Sequence, residues 1–112
     1  MSHARKTAEL DARGIEVHFS ERVRSAFADL AAAVHFSDHF DPGMLETLQE
    51  WTAGKNESLR GVLISLPIIA KETFTHIQAT GDKRAEEAWQ EICDQIPEKN
   101  GFTLVPHRGR GK

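Results

Sequence analysis

The feature that most constrains this chain is a long apolar stripe between Leu59 and Ile77. Its apolar residues recur every three or four positions, a period that aligns them along one side of a helix. The stripe consists of Leu59, Val62, Leu63, Leu66, Ile69, Ala70, Phe74 and Ile77. So wide an apolar side has to be covered by several other elements, which predicts the central helix of a small bundle.

Pro67 interrupts this stripe. Proline inside a helix loses one hydrogen bond and clashes with the preceding turn, at a cost of about 3 kcal/mol, so the helix is expected to be kinked or divided there. Alternatively, Gly61 to Leu66 forms a buried strand, because a short apolar run between Gly and Pro has no decisive period. The stripe keeps its phase from Leu63 through Ala70 to Ile77, which favours the kinked helix.

Capping and stop residues divide the remainder of the chain into helices. One predicted helix runs from Glu21 to about Val34 after the Ser20 cap, and another from Pro42 to the stop at Gly54 after the Asp41 cap. The helix of the stripe begins after a cap at Asn56 or Ser58, and the last helix runs from its cap Asp82 to the stop at Pro97. Residues Thr7 to Arg13 form a further short helix. The segment from His35 to Phe40 has no clear period and is expected to be a loop.

Ile15 to Phe19 alternates apolar and polar residues and is rich in β-branched types, which is typical of a short strand, and Phe102 to Val105 is a second short candidate strand. They are expected to pair as a two-stranded β-ribbon (residues 15–19 with 102–105). The predicted fold is therefore mainly α, a small bundle of four to five helices with this ribbon. A chain of 112 residues is expected to form a single domain, 1–112.

The formal net charge of −3 is unevenly distributed. Between Thr7 and Pro106 there are nine basic and seventeen acidic residues, a charge of −8, while the remaining five basic residues lie in 1–6 and 107–112. We expect these two ends to be flexible, since they offer nothing apolar to bury. An acidic body is a poor surface for phosphates, which makes nucleic acid an unlikely partner. A nucleic-acid-associated protein using its basic termini is the alternative function.

Several observations bear on location and chemistry. The longest stretch without a charged residue, Gly61 to Ala70, is too short to cross a membrane, and the first residues show no secretory signal. A single cysteine, Cys93, suits a reducing compartment, so a cytoplasmic location is expected. Cys93 lies on the apolar side of its helix and is predicted to be a buried, inert thiol. His76 has no sequence neighbour able to orient it as an acid or base.

His35 and His39 are weak candidates for metal binding, because two histidines four residues apart face one metal only within a helix. The segment that contains them is expected to be a loop. The sequence therefore predicts no metal, no cofactor and no enzyme.

The apolar stripe also suggests how the protein works. One flank is expected to remain uncovered in the bundle and to bury against another chain, as large exposed apolar patches usually do. This predicts binding of a protein partner and a homodimer. The predicted interface residues are Phe40, Leu45, Trp51, Val62, Ile68 and Ile69.

The length, the acidic helical body and the apolar segment Leu59 to Ile69 resemble the small helical anti-activators of LuxR-type quorum-sensing regulators, the QslA-like proteins. The resemblance extends loosely over the whole chain, and no functional residue is transferred from it. It implies a dimeric regulatory protein that binds a transcription factor and keeps it from dimerising on DNA.

Overall fold

The computed structural model describes residues 14–96 and 101–106. These form four helices and a small antiparallel sheet, which confirms the predicted mainly helical class. In chain order the elements are β1 (Ile15–Phe19), α1 (Glu21–Val34), α2 (Pro42–Trp51), β2 (Glu57–Ser58), α3 (Leu59–Thr80), α4 (Lys83–Gln95) and β3 (Phe102–Pro106). The predicted helix at 7–13 and the basic ends, 1–6 and 107–112, lie outside the described residues.

The helices begin where the capping residues predicted. The side chains of Ser20, Asp41, Ser58 and Asp82 each accept a hydrogen bond from a backbone N–H in the first turn that follows. Such bonds satisfy donors that have no partner within the helix. At the other end of α3, Gly81 takes the left-handed conformation, with φ of 67°, and its N–H donates to Ile77 O.

Helix α3 runs through Pro67 as one element of 22 residues, so the alternative of a strand over Gly61 to Leu66 is wrong. Pro67 has no N–H, so the carbonyl of Leu63, four residues earlier, lacks its usual helical donor. Both residues lie on the exposed side of α3. On that side water can bond to the carbonyl, which lessens the cost of the proline.

The predicted ribbon is confirmed and extended. β1 pairs antiparallel with β3, with Phe19 opposite Phe102, and β2 pairs on the other edge of β1, giving the order β2-β1-β3. β2 has only two residues, too few for a periodic pattern. The sheet brings the beginning and the end of the described chain together beside α1.

The core lies between the sheet and the helices. Phe19, Phe27 and Trp51 form an aromatic cluster with ring centroids 4.9 to 5.3 Å apart, an arrangement that adds specific stabilisation to their burial. α1 packs against α4 and α2, while α3 packs against α4, α2 and β1. Among the described residues, no helix combines the length and the apolar character that crossing a membrane requires.

Candidate functional site

The most apolar exposed surface belongs to α3. Four of the six large apolar side chains that are exposed in the described part of the chain lie on this helix: Leu63 (58% exposed), Ile64 (57%), Ile68 (41%) and Phe74 (56%). α3 and α4 border a groove of about 290 Å³, lined by Leu63, Leu66, Pro67, Ala70, Trp89, Ile92, Cys93 and Ile96. Of the four exposed side chains only Leu63 lines this groove; Phe74 follows on the same side of α3, whereas Ile64 and Ile68 lie further round the helix. We call the groove together with Leu63 and Phe74 the α3–α4 surface.

This surface exists because the apolar stripe is wider than the area that the neighbouring elements cover. Val62, Ile69 and Thr73 lie on the side of α3 that faces the core. Leu63 and Phe74 are each one residue further on, which rotates them by about 100° toward the open side. One side of α3 therefore packs in the core, and the adjacent side leaves apolar side chains exposed to solvent.

The six predicted interface residues divide between core and surface. Phe40, Trp51, Val62 and Ile69 are buried in the core, Leu45 is half-buried, and Ile68 is exposed. The four core residues stabilise the chain itself and offer no area to a partner, so this part of the predicted interface is corrected. The exposed residues that sequence reasoning missed are Leu63, Ile64 and Phe74.

Cys93 is exposed in the α3–α4 groove, which corrects its prediction as a buried thiol. Its pKa is raised, first by partial burial and then by the neighbouring Asp94 carboxylate. A raised pKa leaves less thiolate at neutral pH, so Cys93 is accessible but only slowly reactive.

A second feature is a buried polar network around His76. The imidazole Nδ1 lies 2.8 Å from Ser37 Oγ, and Nε2 lies 2.8 Å from Asp82 Oδ2. His76 is buried, so both ring nitrogens need these partners. The network joins the α1–α2 connection, the end of α3 and the beginning of α4.

The hydrogen-bond directions within this network follow from its acceptors. The His76 contact is the largest cause that lowers the pKa of Asp82, which is ionised and can only accept. A single ring proton of His76 therefore belongs on Nε2, and Nδ1 is then an acceptor for the Ser37 hydroxyl. Ser37 Oγ in turn accepts from His39 N–H at 3.0 Å, while Asp82 Oδ1 caps α4.

A cavity of about 490 Å³ adjoins this network. Its lining includes all three members of the network as well as Ala32, Ala33, Phe36, Asp38, His39 and Thr80. A larger cavity of about 740 Å³ between α1 and α4 is lined mostly by charged and small residues and includes the Arg22–Glu91 ion pair. It has neither the apolar lining of the groove nor a hydrogen-bonded histidine.

The sequence interpretation of His76 as lacking an oriented partner is thus wrong. Asp82 lies six residues after His76, and the turn at Gly81 brings this N-cap residue of α4 back to the end of α3. A histidine in the last turn of one helix, followed by a glycine stop and an aspartate cap, is the sequence signal for this contact. Ser37 is 39 residues away, and only the packing of α3 against the α1–α2 connection brings it near.

His35 and His39 are both exposed and lie in the non-helical connection between α1 and α2. Without a helix their spacing does not direct them at one metal. The His35 ring instead contacts the Phe36 ring edge-on, with centroids 4.5 Å apart. In residues 14–96 and 101–106 no group of three or more His, Cys, Asp or Glu side chains is arranged to hold a metal ion.

The described residues are strongly acidic, with seven Lys or Arg against fourteen Asp or Glu. Such a surface repels phosphates. The basic ends that the nucleic-acid alternative requires lie outside the described residues.

The chain matches no protein-family model, and neither a curated protein nor a solved structure is significantly similar to it. The functional argument therefore depends on the geometry of its own residues.

Proposed function

We propose that this protein is a regulatory interaction module that binds a protein partner through the α3–α4 surface. Binding of this kind needs no catalytic residue or cofactor. In the form that the resemblance implies, the partner is a transcriptional regulator, which the bound chain keeps from dimerising on DNA.

The observation that carries the proposal is the concentration of exposed apolar side chains on one helix, next to a groove with an apolar lining. Isolated exposed apolar residues are ordinary, but a contiguous patch of them usually marks an interaction site. Leu63, Pro67, Ala70 and Phe74 follow a four-three-four spacing, which is typical of a seam between packed helices.

The energy available from this surface suits a reversible complex. Burying a whole Leu, Ile or Phe side chain contributes about 1.5 to 3 kcal/mol, and roughly half of each exposed side chain on α3 is still accessible. Leu63 and Phe74 together therefore contribute about 2 to 3 kcal/mol. Association costs at least about that much, so a partner has to add apolar side chains of its own that fill the groove.

An amphipathic helix fits these requirements, because helices bind apolar grooves by inserting side chains at helical spacing. A second copy of the chain, as in the predicted homodimer, is the competing occupant of the same surface.

Affinity capture with matched variants tests this function. The bait proteins are wild type, Leu63→Asp and Gln78→Asp, each immobilised and incubated with a lysate of the native cells. Gln78→Asp adds the same charge at an exposed position of α3 without removing apolar area. We expect wild type and Gln78→Asp to capture one protein that Leu63→Asp does not retain, and purified partner to rebind directly.

Equal capture by all three proteins, or no specific capture by wild type, would contradict the proposal. Sedimentation velocity of the same proteins identifies the competing occupant. If wild type is a dimer and Leu63→Asp a monomer, a second copy covers the surface.

A further inference from the structure

We propose that Ser37, His76 and Asp82 form a nucleophilic site that accepts the acyl group of small carboxylic esters. This activity is separate from the proposed binding function, because the site lies at the α1–α2 connection and shares no residue with the α3–α4 surface.

The order of the three side chains is that of an activated serine. His76 Nδ1 lies 2.8 Å from Ser37 Oγ and Nε2 lies 2.8 Å from Asp82 Oδ2. With one proton on the imidazole, Ser37 donates to Nδ1 and Nε2–H donates to the carboxylate. This is the relation of nucleophile, general base and orienting carboxylate that activates a serine. Ser37 and His76 would be the catalytic residues, and Asp82 the positioning residue that fixes the imidazole tautomer.

Ser37 is accessible to a small molecule. His76 is buried, whereas Ser37 is half-buried and lines the open depression of about 490 Å³. The base is thus largely shielded from water, while the nucleophile faces a space large enough for a small substrate.

The surroundings of Ser37 hold its hydroxyl in place and limit the substrate. His39 N–H donates to Ser37 Oγ over 3.0 Å, which fixes the position of the hydroxyl beside His76. The cavity walls also indicate the substrate: Ala32 and Ala33 leave room for a small acyl group, and the Asp38 carboxylate disfavours an anionic one.

In the reaction, Ser37 Oγ forms a bond to the ester carbonyl carbon while its proton passes to His76 Nδ1. The imidazolium returns that proton to the alcohol oxygen as the ester C–O bond breaks, leaving an acyl group on Ser37. Water, deprotonated by the same imidazole, attacks this acyl group, and the carboxylic acid leaves as Ser37 regains its proton.

The test is covalent labelling of the full chain by an uncharged alkyl fluorophosphonate. Serine attack forms an Oγ–P bond and releases fluoride together with the hydroxyl proton. Intact mass and peptide mapping follow the rate and the position of labelling. We expect one adduct, on Ser37, that is absent from Ser37→Ala and unchanged in Ser25→Ala, which removes an exposed serine of α1.

Asp82→Asn distinguishes catalysis from structure. Asparagine caps a helix as well as aspartate does, so α4 is retained. Its amide N–H would donate to His76 Nε2, which moves the imidazole proton to Nδ1 and removes the acceptor for Ser37. We expect labelling to slow by about 100-fold or more. Long-range ¹H–¹⁵N NMR should show the Nε2–H tautomer in wild type and the Nδ1–H tautomer in Asp82→Asn.

The absence of an adduct on Ser37, a decrease of less than about tenfold in Asp82→Asn, or the Nδ1–H tautomer in wild type would each overturn the proposal. The network would then serve only to join α3, α4 and the α1–α2 connection.

Discussion

Ile68 and Ile69 are adjacent, identical in composition and opposite in environment, and their truncation to alanine tests the orientation of α3. Ile69 is completely buried, whereas Ile68 is 41% exposed. Ile→Ala removes three carbon atoms, worth about 0.8 kcal/mol each when fully buried, and the cavity that remains adds to this loss. We therefore expect Ile69→Ala to lower the free energy of unfolding by about 2.5 to 4 kcal/mol.

For Ile68→Ala we expect a loss below about 1 kcal/mol, because much of the side chain is already in water and alanine is the better helix former. For a domain of this size, 1 kcal/mol moves Tm by roughly 4 to 8 °C. Ile69→Ala should thus lower Tm by roughly 10 to 32 °C and Ile68→Ala by less than roughly 8 °C.

Thermal and urea unfolding, followed by circular dichroism at low chain concentration, measure both variants under conditions that limit self-association. Equal losses for the two variants, or a larger loss for Ile68→Ala, would refute the assignment of Ile69 to the core and of Ile68 to the exposed side of α3.

Three further predictions concern other parts of the chain. Gly101→Ala should lower the free energy of unfolding in urea by about 1 to 3 kcal/mol, because a Cβ there would lie 2.7 Å from Val23 Cγ2 and 2.9 Å from Gln95 O. A Cβ at Gly81 meets no neighbouring atom, so Gly81→Ala should cost only the strain of a positive φ, about 1 kcal/mol. The His76 hydrogen bond lowers the pKa of folded Asp82, so the stabilisation by Asp82 is present above its unfolded pKa and lost as the pH falls through the folded value. The advantage of wild type over Asp82→Asn in free energy of unfolding should therefore shrink as the pH falls through and below the ordinary aspartate value of 3.8, and a constant difference would argue against an ionised Asp82. Ellman's reagent should modify one thiol in the folded chain. The reaction should be slower than that of glutathione at neutral pH, because burial raises the pKa of Cys93. A thiol that reacts only after unfolding would show that the groove is closed.

The sequence predicted those parts of the fold that depend on local chemistry. The caps Ser20, Asp41 and Asp82 begin helices because their side chains satisfy amides within the same turn, and Gly81 ends α3 because it accepts a positive φ. The β1–β3 pairing was predictable from alternation at both ends of the chain. Each of these signals lies within a few residues.

The candidate sites depend on packing between distant segments. The apolar stripe shows that α3 is buried, but its width does not show which flank α4 leaves open, so Val62 and Ile69 were predicted at the surface in place of Leu63 and Phe74. Similarly, nothing near Ser37 in the sequence indicates that it bonds to His76.

The central claim is that a protein partner covers the α3–α4 surface, and Cys93 gives a direct measurement of this. It is the only cysteine in the chain and it lies in the groove. The rate at which a thiol reagent modifies Cys93 is measured with and without a saturating amount of the captured partner, in wild type and in Gln78→Asp. The account predicts that the partner slows modification at least about tenfold in both proteins, as expected for a thiol excluded from solvent. An unchanged rate in the saturated complex would contradict it.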